Sequence, residues 1–162
     1  MKKTVLSIAL VASLFTVAAA ENRGGNPAPA GSPAASTMAE IQKTFGFVPD
    51  FFNAVPQTLV SSWWAGLTQF QLNPATKLDG KTKELIGLAV AAQIPCEYCI
   101  YFHTEAARLN GASEEEIREA VGMSAITREG STLLNGLQTD KAQFKKDVQR
   151  IVAGAKAAHA KK

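Results

Sequence analysis

The chain has 162 residues, with 17 lysines and arginines against 14 aspartates and glutamates. Two of the basic residues, Lys2 and Lys3, fall within positions 1–20; without them 17 drops to 15 against 14 acids, and no basic footprint for nucleic acid remains. Taking those 20 residues from 162 leaves 142, enough for one domain with a proper core but not comfortably for two.

Positions 1–20 read as a signal peptide. Lys2 and Lys3 precede an apolar run at 5–19, and Ala18, Ala19 and Ala20 form an Ala-x-Ala cleavage pattern before Glu21. The run is shorter than the roughly 20 apolar residues that span a bilayer. No cysteine follows it for lipid attachment and there is no twin arginine. The expected location is therefore periplasmic or secreted, with no membrane association after cleavage. Residues 21–36 (ENRGGNPAPAGSPAAS) are small and rich in Pro and Gly, which predicts a flexible linker. The domain is expected to span 37–162.

Thr37 followed by Glu40 has the capping-box pattern and predicts a helix that opens there and closes at Gly46. Pro49 and Pro56 bracket a short helical piece. A longer helix over 57–72 carries Trp63, Leu67 and Phe70 at helical spacing and stops at Asn73 and Pro74. Asp79 is placed to cap a helix over 80–93 (GKTKELIGLAVAAQ), which is apolar round most of its circumference. After Pro95 a helix runs over 96–110, stopped by Gly111. Ser113 and Glu116 form a second capping box for a helix reaching about Thr127, with Glu114, Glu115 and Glu116 as its acidic first turn. Beyond Gly130 a short segment over 131–138 and a last helix over 140–159 are expected. No stretch alternates with period two, so the fold class is all-α.

The two cysteines both lie in Cys96-Glu97-Tyr98-Cys99. At about 100° per residue, Cys96, Cys99 and His103 share one helical face. A position in the first turn, near the positive end of the helix dipole, favours a thiolate. Glu84 lies on the preceding helix, and a turn at Ile94 and Pro95 would bring its carboxylate to the His103 side. Carboxylate, imidazole and thiol in that order form an orienter, base and nucleophile.

The segments TKELIGLAVAA from Thr82, CEYCIYFHTEAA from Cys96 and GASEEEI from Gly111 closely resemble the carboxymuconolactone decarboxylase superfamily in its AhpD-like alkylhydroperoxidase branch. Upstream, GFVPDFF from Gly46 is similar to the family's lead-in. The resemblance covers about 37–125. It implies a helical fold assembled into homotrimers or homohexamers, and a dithiol that reduces peroxides and passes through a disulfide. Glu84, Cys96, Cys99 and His103 match the branch's functional positions. Some members carry a second His between the cysteines, where this chain has Tyr98. The decarboxylases proper lack the cysteine pair.

Plainer readings of the same residues exist. The cysteines could be a structural staple, although closing so short a loop removes little chain entropy. Zinc has the right ligand types but not the usual two ligand pairs. Glu84 could pair with Lys81 instead. Phe47, Phe51, Phe52, Trp63 and Trp64 read as core or subunit interface. The expected function is a thiol-dependent peroxidase or disulfide reductase acting on hydroperoxides, with Cys99, one turn from His103, attacking and Cys96 resolving, or with the roles exchanged as in thioredoxin, where the N-terminal cysteine attacks. It needs a dithiol or thioredoxin-like reductant, and neither cofactor nor metal is expected. The alternative is an exported, non-catalytic oligomeric scaffold or binding protein with a structural disulfide.

Overall fold

A computed structural model describes residues 28–160; the signal-peptide reading and residues 21–27 of the linker reading lie outside them. Seven α-helices and one π-helical turn make up the described residues, with no strand among them. They divide at Trp64 and Ala65 into two compact units.

In the first unit, α1 spans Pro33–Phe45, α2 spans Asp50–Ala54, and α3, Gln57–Gly66, begins. The start of α1 corrects the sequence reading. Ser32 is the N-cap, accepting from the Ala35 N–H, and Pro33 occupies the first turn, where its missing N–H is no loss. Residues 33–36 are therefore helical. The apparent capping pair is engaged elsewhere: Thr37 Oγ1 donates to the Pro33 carbonyl and lies 2.8 Å from Ser61 Oγ, while Glu40 accepts from the Trp64 indole at 3.2 Å. Gly46, at φ 82°, closes the helix as expected. Phe52 and Trp64 are buried and meet edge-on with centroids 5.8 Å apart, whereas Phe47, Phe51 and Trp63 remain exposed.

The second unit contains the π-helical turn Leu67–Gln71, α4 (Gly80–Gln93), α5 (Glu97–Leu109), α6 (Glu114–Gly136) and α7 (Lys141–His159). The α4 helix packs against both α5 and α6. Leu88, Ala107 and Ile117 form the shared core, flanked by Leu85, Ile100 and Ala112. Asp79 caps α4 through the Thr82 N–H, and that bond holds its carboxyl below the usual range. Gly111, at φ 84°, ends α5 in a Schellman turn, with its N–H on the Arg108 carbonyl and that of Ala112 on Ala107. The Ser113–Glu116 capping box forms reciprocally. Glu116 also takes Lys81 of α4 at 2.7 Å, which ties α4 to the start of α6.

Gly130 does not end α6, and the separate segment expected over 131–138 does not exist. A single interior glycine costs about 1 kcal/mol relative to Ala, too little to stop a long helix. The chain turns instead at Gln138, in the left-handed conformation at φ 52°, with the Thr139 N–H on the Leu134 carbonyl. Asp140 then caps α7. No helix among the described residues is long and apolar enough to cross a membrane.

Candidate active site

The inward stripe of α4 carries Glu84, Leu88 and Ala91, at i, i+4 and i+7. Glu84 is 1% exposed, and an unpartnered carboxylate at that depth would be strongly destabilising. Its partners come from two other elements. His103 Nδ1 of α5 lies 2.7 Å from Oε2, and Gln71 Nε2, at the end of the π-helical turn, donates to Oε1 and Oε2 at 3.1 and 3.3 Å. Against an ionised carboxylate, which only accepts, a neutral imidazole carries its proton on Nδ1 and leaves Nε2 as the ring's acceptor. Lys81 does not compete for Glu84, being bonded to Glu116.

The imidazole fits because α4 has no side chain at Gly87. A Cβ there would lie 2.5 Å from His103 Cε1 and Nδ1. The helices approach closely at that point, and the ring fills the space a methyl would occupy.

Cys96 and Cys99 are joined by a disulfide, with Cα atoms 5.3 Å apart, and both are half-buried. Cys96 is the N-cap of α5, one position before the first turn where it was expected. Its extended backbone (φ −92°, ψ 100°) turns Sγ towards the helix, where it accepts from the Cys99 N–H at 3.2 Å. Cys99 lies in the first turn. His103 follows it by four residues on the same helix, hence on the same face.

All four predicted residues thus fall on the α4–α5 pair: Glu84 bonds His103, Cys96 bonds Cys99, and α5 links the two pairs. Sequence reasoning missed Gln71, Lys83 and Gly87. A glycine in the middle of a Leu- and Ala-rich helix was the available signal for Gly87. Gln71 had none, since its direction depends on the π-helical turn.

The carboxymuconolactone decarboxylase family model matches residues 59–141, about half of the chain. The chain belongs to that family. This member is similar in structure to the alkylhydroperoxidase AhpD core from Rhodospirillum rubrum. The TM-score is 0.59 at 25% identity, over 69% of this chain and 86% of that one. It is also 44% identical over 54 residues to a Paracoccus denitrificans protein described as uncharacterized protein 4 in cox locus. That match covers 33% of this family member, which spans only about half (49%) of the Paracoccus protein. Family and fold are therefore AhpD-like, with a Cys96–Cys99 disulfide in place.

Proposed function

We propose that the protein is a thiol-dependent peroxidase that reduces hydroperoxides through Cys96 and Cys99. What carries the reading is the buried Glu84–His103 hydrogen bond on the helix pair that bears the dithiol. The pairing of a cysteine couple with a relay favours thiol chemistry over the decarboxylation in the family's name. The resemblance to an alkylhydroperoxidase core points the same way.

In the reduced enzyme the Cys99 thiolate attacks the terminal oxygen of a hydroperoxide. An S–O bond forms, the O–O bond breaks, and the departing alkoxide takes a proton relayed through His103. Cys96 then attacks the sulfenic sulfur; the S–S bond forms and water leaves. An external dithiol, thioredoxin-like in chemistry, returns two electrons and two protons. Glu84 holds the imidazole in one tautomer throughout.

The protein is further proposed to be exported, with Glu21 as the mature N-terminus, and to assemble as a homotrimer or homohexamer. Supporting assembly, Ile86 and Val90 of α4 and Phe144, Val148, Ile151 and Val152 of α7 are all exposed in the single chain.

The deciding measurement is the rate at which fully reduced protein consumes a hydroperoxide at neutral pH. Wild type is expected to outpace a free thiol and to end as the intramolecular disulfide. Cys99→Ser abolishes the reaction, and Cys96→Ser leaves a sulfenic acid on Cys99 that a dimedone probe traps. The opposite pattern in the two variants would exchange the cysteine roles. A wild type no faster than a small-molecule thiol leaves the exported scaffold with a structural disulfide as the reading.

A further inference from the structure

A buried carboxylate has two oxygens to satisfy, and His103 occupies only Oε2 of Glu84. Gln71 reaches both oxygens with a single amide nitrogen, at 3.1 and 3.3 Å. It does so from an unusual backbone. In the turn Leu67–Gln71 the N–H of Leu72 bonds the carbonyl of Leu67, five residues back, at 2.8 Å. A π-type turn holds more residues than an α turn, so it rotates the following side chains round the axis. Where the turn ends, Lys83, the neighbour of Glu84 on α4, grips it. Lys83 Nζ donates to the carbonyls of Phe70 and Asn73 at 2.9 and 2.8 Å and lies 2.9 Å from Thr76 Oγ1. The three protons of the ammonium match these three oxygens, and Lys83 is buried. Consecutive residues of α4 therefore hold one element twice: Lys83 by its backbone, Glu84 by the side chain of Gln71.

We propose that Gln71 is a positioning residue of the Glu84–His103 relay and that Lys83 is the clamp that seats it. Gln71 fixes the plane of the carboxylate, so that Oε2 accepts from Nδ1 and the imidazole proton stays on that nitrogen. Nε2 is thereby kept as the basic atom. The effect on rate rests on the thiol peroxidase reading; the effect on the tautomer does not.

The test uses full-length protein, with Gln71→Leu to remove the donor at similar volume and Gln71→Glu to make donation depend on pH. In Gln71→Leu the His103 ring 15N shifts are expected to move from the single Nδ1–H tautomer towards a mixture, with the circular dichroism unchanged. Reaction of the reduced variant with tert-butyl hydroperoxide should slow about tenfold, as for the loss of one hydrogen bond to a charged group. In a Glu84→Gln background, Gln71→Leu should slow it no further, because the two act through one contact. For Gln71→Glu, the rate relative to wild type should rise as pH falls, since its carboxyl donates only when protonated. A Gln71→Leu variant with wild-type 15N shifts and wild-type rate overturns the proposal. Should wild type itself react no faster than a free thiol, the peroxidase reading fails and the 15N shifts alone decide: a shift in tautomer upholds the positioning role, and no shift overturns it.

Discussion

The helix pair α4–α5 and the helix α7 show opposite ways of handling side chains. On α4 a carboxylate and an ammonium are buried, and each has its partners within the chain: Glu84 with Gln71 and His103, Lys83 with the end of the π-helical turn. On α7 no residue is buried, although Phe144, Val148, Ile151 and Val152 recur at 3.6-residue spacing along one face. Polar groups have thus been taken inside where their geometry is completed, and apolar groups left outside where it is not. Order in the first region comes from the chain alone. The second has the pattern of a helix that must find its cover elsewhere, which is the physical basis for proposing an assembly.

The largest effect expected from disturbing this contrast is at the relay. His103→Gln and Glu84→Gln should each slow peroxide reduction by roughly 10²–10⁴-fold, the usual loss of general acid–base assistance, while thermal melts remain cooperative. A stopped-flow comparison of the reduced proteins measures it. Next comes Gly87→Ala. Alanine ordinarily favours a helix interior, but here its Cβ would lie 2.5 Å from the imidazole. The variant should lose about 1–3 kcal/mol by overpacking and slow the reaction as well, in contrast to the ordinary gain of Gly→Ala. Chemical denaturation together with the rate assay tests both halves.

The same comparison can be sharpened from the other side. Ile151→Lys on α7 places a charge in the exposed apolar face and should lower the mass seen by light scattering. Amide exchange in α7 should accelerate while α4 and α5 stay protected. A variant that keeps the wild-type mass would remove α7 from the assembly surface. The smallest effect concerns Glu116, whose carboxyl is held below the usual range, first by Lys81 and then by the Ser113 N–H. A lowered folded value means that its contribution is fully present above the ordinary glutamate range. That contribution disappears as pH falls through the lowered value. A modest drop in melting temperature, confined to that acidic window and lost in Glu116→Gln, is the expected result.

Much of this was legible in the residues. Helical spacing placed Cys99 and His103 on one face, and the Ser113–Glu116 pair marked the start of α6. The misreadings share a cause. Thr37 and Glu40 carry the letters of a capping box, yet their side chains serve Ser61 and Trp64, partners more than twenty positions away. Gly130 carries the letter of a stop, but a helix with enough turns on either side continues through it. Gln71 was hidden because its direction follows from five backbone residues wound more widely than the sequence pattern assumes. Local signals were readable wherever local forces decide, and failed where a distant partner outweighs them.

The cap of α5 has one more consequence. Cys96 Sγ is both an end of the disulfide and the acceptor for the Cys99 N–H, so one sulfur atom belongs at once to an electron store and to a helix terminus. When two electrons arrive, the acceptor of that N–H changes from a neutral disulfide sulfur to a thiol or thiolate, and the first turn of the helix registers the difference. The Cys99 amide proton is thus placed to sense the oxidation state of the pair, and its chemical shift should differ between the disulfide and the reduced protein without any added dye or label.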